Sequence, residues 1–350
     1  MQSTTSTVPQ ALPPQAVMMQ MVMGGWVARA ISDISRLNIP DMLKKAGPMS
    51  AAEIVAGGVD ANADALERVM RACGSLGVFT EDAHGRFGST HLSDVLTSDS
   101  PASVKVIAQE AGGLWLKIWG ALADAIRTGE PQSRQVLGLE WWDYLKANPK
   151  EMETFGEAMK SNSLNSMRGV LEHCDLTNVS KVVDVGGGFG HLVVALLEKY
   201  PNLRGVLQDV PELIPVAQKS FPVSEPSVAS RLEYVGANMF ESVPRADAYI
   251  LKHIVHDWDD EHCLRLLRNC YESMQGDGRL ICVDSVLPPM GDTGATPAKL
   301  LDLLMMLAIR GKERTRRQWE ELYRATGFRI ANIIPLQDNF GTSILEGIKQ

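Results

Sequence analysis

Short apolar runs alternate with amphipathic stretches through the second half of the chain. Lys181–Val185, Leu203–Gln208, Leu232–Val235, Ala248–Leu251 and Arg279–Val283 read as strands. Helical patterns near 190–199, 211–219, 259–275 and 316–326 separate most of them. This alternation predicts an α/β domain over 176–350, a Rossmann-like, doubly wound, mostly parallel sheet with helices on both faces. Two late runs, Arg329–Pro335 and Thr342–Ile348, are joined by the short link Leu336-Gln-Asp-Asn-Phe-Gly341. So short a link predicts an antiparallel pair at one edge of the sheet.

The first half has a different rhythm. Residues 15–110 read as mainly helical. Ser50 and Glu53 have capping-box spacing. Asp60 is placed to cap a helix running to about Ser75, with Leu66, Val69, Met70 and Cys73 on one face. Gly77 to Phe87 then reads apolar–turn–apolar, a small hairpin. Helix, helix, hairpin is the order of a winged helix. In a DNA reader the second helix would be basic, whereas Arg68 and Arg71 are offset here by Asp60, Asp64 and Glu67. Residues 1–14 read as a disordered tail. The apolar stretch Ala16–Ala28 contains Gln20 and Gly24–Gly25 and is too short to span a bilayer. It also lacks the basic lead of a signal peptide. Met18, Met19, Met21, Met23 and Trp26 leave this helix apolar all round, so it needs a burial partner, and a second subunit is expected to provide it. Residues 111–175, with Trp115, Trp119, Trp141 and Trp142, read as a helical connector.

Composition narrows the function. A chain of 350 residues accommodates two domains. With 45% hydrophobic and 22% charged residues it is neither disordered nor fibrous. Lys plus Arg is 34 against 42 Asp plus Glu, a net charge of −8, which argues against nucleic acid as a partner. Five scattered cysteines with no Cys-x-x-Cys pair argue against a disulfide framework and a structural zinc site. A reducing, cytoplasmic location is expected, with no membrane partner.

The strongest motif is Asp184-Val-Gly186-Gly-Gly188-Phe-Gly190, between a predicted strand and a predicted helix. Glycines let the chain turn sharply and let a ligand approach the backbone. Amides at the following helix start favour a negative group. A dinucleotide loop wants Gly-x-Gly-x-x-Gly. Here His191 occupies its last glycine position, and an acid precedes the loop. That pattern suits S-adenosylmethionine better, since its carboxylate would meet the amides and its ammonium Asp184. Asp209, at the end of the next strand, is placed to accept ribose hydroxyls.

The fourth strand leads into Lys252-His-Ile-Val-His256-Asp-Trp and puts His256 at the ligand edge of the sheet. Imidazole titrates near about 6.5 and a phenol near about 10, so a positioned histidine can take a hydroxyl proton near neutral pH. A base of this kind needs its other nitrogen held, usually by a carboxylate. Asp284 and Glu313 are candidates, though sequence alone does not single them out among 42 acids. His253 and His256 could instead be metal ligands at i and i+3, but no partner carboxylate is marked, so no metal is expected.

Together these residues resemble the class I S-adenosylmethionine-dependent O-methyltransferases of the plant caffeate and hydroxyindole type, with their bacterial natural-product relatives. The resemblance covers nearly the whole chain from about residue 20. It rests on Asp184-Val-Gly-Gly-Gly-x-Gly190, Asp209-Val-Pro, Asn238-Met-Phe, Lys252 with His256-Asp-Trp-x-Asp-Glu-His, and Gly311-Lys-Glu-Arg-Thr. It implies transfer of a methyl group to the hydroxyl of a small aromatic, phenolic or polyketide-like acceptor, releasing S-adenosylhomocysteine. It also implies cofactor contacts from Asp184, Gly186, Gly188, Gly190, Asp209, Asn238, Met239 and Lys252. His256 would be the base, flanked by Asp284 and Glu313. Phe155, Met159, Asn162 and Met305 would contact the acceptor. The N-terminal domain, winged-helix-like, would form a homodimer. Three departures stand out: Asn238 where Asp is usual, Asp284 where plant members often carry Glu, and a shorter loop before Gly311. Carbon methylation, or a metal-assisted or repurposed activity, is the nearest alternative. A cofactor-sensing winged-helix regulator and a nicotinamide oxidoreductase stand further off.

Overall fold

The structure is a computed structural model. It describes residues 12–350 apart from Phe221, Ala295, Asp338 and Asn339, and only the backbone of 160–165 and Ser220. The tail expected over 1–14 lies outside the described residues as far as residue 11, and a helix already begins at Pro14. The chain divides into two compact units, one of residues up to Gly120 plus Pro149–Ser161, the other of Ala121–Asn148 plus Asn162–Gln350.

In the first unit the helix Pro14–Val22 is followed by Gly24–Arg36, and neither Met18, Met19, Met21, Val22 nor Trp26 is covered. The Ser50 capping box forms as the spacing requires, opening Ala51–Ala56. The next helix, Ala63–Ser75, is capped by Asn62, whose side chain accepts from the Ala65 amide, and not by Asp60. Both residue types cap well, and only the one directly before the first helical residue can reach the free amides. β1 (Phe79–Glu81) and β2 (Phe87–Ser89) form the expected hairpin. Ile34, Ile39, Leu43, Leu66, Met70, Phe79 and Phe87 close the core of this unit.

The second unit is built on one sheet: β3 (Lys181–Val185), β4 (Arg204–Asp209), β5 (Leu232–Gly236), β6 (Ala246–Lys252), β7 (Met274–Leu287), β8 (Arg314–Thr315), β9 (Phe328–Pro335) and β10 (Thr342–Lys349). The order is β5-β4-β3-β6-β7-β10-β9, with β8 paired beside the end of β7. β3 to β7 are parallel. β10 runs antiparallel to both of its neighbours, so the antiparallel pair occupies one edge as expected. Successive side chains alternate between faces. Val183, Val185, Tyr249 and Leu251 pack with Leu266, Leu267, Trp319 and Tyr323 on one side. Val182, Ala248, Ile250 and Val283 pack with Leu192, Val193, Leu196 and Leu197 on the other. Each such side chain, fully buried, contributes about 1.5–3 kcal/mol. Strand order reverses between β3 and β6, which opens a crevice at the carboxyl ends of these strands, where ligands bind in open sheets of this kind.

Candidate active site

The glycine turn follows β3 directly. Gly186, Gly188 and Gly190 have φ of +67°, +60° and +83°, the left-handed region that side chains disfavour. A Cβ on Gly186 would stand 2.5 Å from Ile254 Cδ1, and one on Gly187 2.7 Å from Asp184 Oδ2. The turn is pinned by the Gly186 amide donating to Gln208 O (2.8 Å) and the Gly188 amide donating to Asp209 Oδ2 (2.9 Å). Asp209 thus sits at the end of β4 against the turn, its other oxygen accepting from the Val210 amide (2.7 Å). Burial raises its pKa.

Asp184 is buried beneath the turn, and its Oδ2 has no hydrogen-bond partner. Burial pushes its pKa up to about 6, with Lys252 opposing and Asp209 adding to the rise. Burial lowers the pKa of Lys252, opposed by Asp184 and then Asp284. An orphaned acid oxygen below a glycine turn free of side chains, with a second acid at the end of β4, fits an ammonium-bearing amino-acid head joined to a ribose. At the expected adenine position Asn238 Oδ1 accepts from the Phe240 amide (3.0 Å), and its amide group donates to Glu241 Oε1 (3.3 Å). One lone pair of that oxygen remains for a ligand. The carbonyl of Met239 accepts from Asn269 Nδ2 (2.9 Å), and Phe240 stacks edge-on against Trp258 with ring centres 4.6 Å apart.

The second group of residues gathers where β6 ends. His253 takes φ of +55°, turning the chain into the single 3-10 turn Val255–Asp257. His256 Nδ1 meets Glu313 Oε1 at 2.7 Å. Asp284 Oδ1, on β7, lies 3.8 Å from the same nitrogen, too far for a hydrogen bond. Asp257 Oδ1 stands 3.4 Å from Nε2. Burial pushes His256 down, but Glu313, then Asp284 and Asp257, outweigh it and raise the pKa to about 10. Asp284 is fully buried with neither oxygen hydrogen-bonded; burial lifts its pKa to about 8, opposed by His256 and reinforced by Glu313 and Asp257. His253 goes the other way. Burial first, then Lys252 and His256, push it well below its ordinary value.

The loop that delivers Glu313 is tied to this turn from several sides. The Lys312 amide donates to His256 O (2.9 Å), and the Glu313 amide donates to Asp302 Oδ1 (2.8 Å). Arg314, 1% exposed, donates to Val255 O (3.0 Å), Trp258 O (2.9 Å) and Asp260 Oδ1 (2.8 Å). Only a glycine fits at Gly311, where a Cβ would stand 2.1 Å from His256 O.

Of the expected acceptor residues, Phe155 and Met159 lie on the early part of the helix Pro149–His173, in the first unit. Met305 is half-buried on Thr296–Ile309 in the second, and the side chain of Asn162 lies outside the described residues. Sequence reading missed Asp257 and Asp302. Asp257 was visible as the neighbour of His256; nothing in the sequence marks Asp302.

The reversed strand order, the glycine turn and the acid-flanked histidine at one sheet edge are the features of a nucleotide-cofactor-binding α/β enzyme. The chain matches the O-methyltransferase domain over residues 119–329 and the O-methyltransferase dimerisation domain over residues 19–99. It is 33% identical to phenazine O-methyltransferase PhzM of Lysobacter antibioticus, over 96% of each chain. It is 32% identical to the mitomycin biosynthesis 6-O-methyltransferase of Streptomyces lavendulae, over 90% of this chain and 89% of that one. Among solved structures it resembles an O-methyltransferase from neocarzinostatin biosynthesis in complex with S-adenosylmethionine and 2-hydroxy-5-methyl naphthoic acid. There the TM-score is 0.79 at 28% identity, covering 93% of this chain and 96% of that one. The chain belongs to the S-adenosylmethionine-dependent O-methyltransferase family. The regulator, oxidoreductase and carbon-methylating alternatives are not favoured. No helix among the described residues is long and apolar enough to cross a membrane.

Proposed function

We propose that this enzyme methylates a hydroxyl on a small aromatic acceptor of the phenolic or polyketide-like kind, with His256 Nε2 as the proton acceptor. The observation that carries the reading is the 2.7 Å contact between His256 Nδ1 and the buried Glu313 carboxylate. Glu313 holds the Nδ1 proton, which directs the lone pair to Nε2 and stabilises the imidazolium that forms. The acids around His256 raise its pKa, which strengthens its neutral form as an acceptor of a phenol proton. Asp257 and, once ionised, Asp284 add negative charge around the ring. S-adenosylmethionine supplies an electrophilic sulfonium methyl for an SN2 transfer, leaving S-adenosylhomocysteine. For that group, Asp184 and the turn of Gly186, Gly188 and Gly190, whose missing side chains let a ligand come close, would hold the amino-acid head and Asp209 the ribose. Asn238 and Met239 would flank the adenine, with Lys252 on the far side. Acceptor contacts fall to Phe155, Met159, Asn162 and Met305 on the family resemblance alone.

The uncovered Met18, Met19, Met21, Val22 and Trp26, with the match to a dimerisation domain, support a homodimer formed through the N-terminal unit. Five buried cysteines, all free of disulfides, support a reducing, cytoplasmic location. The test is a panel of hydroxylated aromatics incubated with S-adenosylmethionine, read by mass spectrometry for gain of one methyl. His256→Ala should keep S-adenosylhomocysteine binding by calorimetry and lose at least about a hundredfold in turnover. Undiminished turnover in that variant would refute the role of His256.

A further inference from the structure

The histidine pair that lacks a partner carboxylate in sequence acquires one in the fold. Asp284 Oδ1 lies 3.8 Å from Nδ1 of His253 and 3.8 Å from Nδ1 of His256. One donor atom from each of the three residues lies within 4.8 Å of the others. Asp284 is 0% exposed, and neither of its oxygens has a hydrogen-bond partner. A buried carboxylate left in that state is costly, and a cation placed between it and two imidazoles would relieve the cost. Glu313 Oε2 is a third buried oxygen without a hydrogen-bond partner, on the residue whose other oxygen contacts the His256 ring. His253 is already oriented for this role: its Nε2 meets Ser166 Oγ at 3.1 Å, which leaves Nδ1 facing Asp284. Outer contacts of this kind fix the ring and tautomer of ligating histidines.

We propose that His253, His256 and Asp284, joined by Glu313, form a site for a divalent transition ion of the zinc type, and that filling it switches methyl transfer off. Two imidazoles with carboxylates suit zinc or cobalt, whereas calcium and magnesium prefer all-oxygen sets. Bonds of about 2.0–2.1 Å separate tetrahedral donors by roughly 3.4 Å, so side-chain rotation alone closes the 3.8 Å spacings. The switch follows from the tautomer. With an ion on Nδ1, the ring proton resides on Nε2, and His256 has no lone pair left for the acceptor's proton. The ion is therefore an inhibitor that competes with the Nδ1 proton, not a catalytic metal. The switching half rests on His256 being the base; the binding half does not.

The test uses the full-length, metal-stripped protein titrated with Co²⁺ and read by its visible d–d absorption, followed by displacement with Zn²⁺. Turnover is measured in parallel at buffered free Zn²⁺. One ion per chain is expected, with a tetrahedral-type spectrum and inhibition that tracks occupancy and reverses with a chelator. His253→Asn and Asp284→Asn should each weaken binding at least tenfold. Asparagine is chosen at 253 because it tolerates the left-handed backbone there. Each variant's zinc sensitivity is referred to its own zinc-free rate. If Asp284→Asn does not fold, His253→Asn still decides the matter. Absence of a bound ion, or affinity unchanged in His253→Asn, overturns the site. Bound ion with undiminished turnover overturns the switch while leaving the site standing.

Discussion

Replacing Glu313 by Gln tests whether the carboxylate network sets the strength of the base. The substitution keeps the shape of the side chain and removes its charge. His256 is raised from its ordinary 6.5 to about 10 against the downward push of burial. That rise corresponds to about 5 kcal/mol of added attraction for the proton. Glu313 is the strongest contributor to the rise and the only acid in hydrogen-bond contact, at 2.7 Å against 3.4 Å for Asp257 and 3.8 Å for Asp284. Giving it half of the total yields about 2.5 kcal/mol, and Coulomb attraction at about 4 Å with an effective dielectric of 20 yields about 4 kcal/mol. If the imidazolium is well formed in the transition state, Glu313→Gln lowers turnover roughly 10²- to 10³-fold. The sign of the pH effect is also fixed. Lowering the pKa of His256 lets the neutral base appear at lower pH, so the rising limb of kcat/KM moves acidward by about two pH units while its plateau falls. The assay is a pH series of kcat/KM with one phenolic acceptor, beside calorimetric binding of S-adenosylhomocysteine, which should be unchanged. A limb that does not move, with a plateau within threefold of the parent, would refute this account of the base.

Three further outcomes follow from the geometry. Gly311→Ala forces a Cβ to 2.1 Å from His256 O and should displace Glu313, costing turnover at least about a hundredfold with cofactor binding retained; normal turnover would show the loop to be adaptable. Glu110 is buried, both its oxygens lack partners, and burial, with Glu151 adding, lifts its pKa to about 7 from 4.5. Because the folded value lies above the unfolded one, the contribution of Glu110 to stability is full below pH 4.5 and falls by up to about 3 kcal/mol as pH rises through 7; Glu110→Gln should abolish that contribution, and equal pH slopes in the thermal midpoints of parent and variant would contradict it. Finally, Asp184 and Asp284 are raised to about 6 and about 8, so binding a cationic sulfonium near pH 7 should expel protons where neutral-sulfur S-adenosylhomocysteine expels fewer; calorimetry in buffers of different ionisation enthalpy reads the difference, and equal proton release for both would count against it.

The parallel core of the sheet was readable because strands buried on both faces are short apolar runs between helices. β3 was legible to the residue and β4 to β6 to within two residues at each end. β7 was read only as Arg279–Val283, whereas it spans Met274–Leu287. Its opening Gln275-Gly-Asp-Gly278 carries no apolar pattern and is strand only because Met274 pairs with Ala246 across a register shift. The helix Thr296–Ile309 was missed for a related reason. Its sequence Thr-Pro-Ala-Lys-Leu-Leu-Asp-Leu-Leu-Met-Met-Leu-Ala-Ile is apolar on nearly every face, so the 3.6-residue periodicity that marks an amphipathic helix is faint.

The site divides along the same line. The cofactor side is contiguous or closely spaced in the chain, so turn chemistry and the interval from Gly186 to Asp209 could be read directly. The base side is assembled from β6, β7 and the loop after Ile309, and the residues it joins are far apart in sequence: Glu313 lies 57 positions beyond His256. No local pattern marks such a pairing, and only family resemblance singled out Asp284 and Glu313. What neither source conveyed is the asymmetry between them. Glu313 touches the ring, whereas Asp284 stands off by 3.8 Å, equally far from His253 and without a hydrogen-bond partner. Local rules that specify a stable fold tend to be broken where chemistry is done. Several such breaches meet at this site: a left-handed histidine, an unsatisfied buried acid and three carboxylates around one imidazole. Stability alone gives no reason to gather these charges in a buried site. A proton that must be held, moved and replaced does.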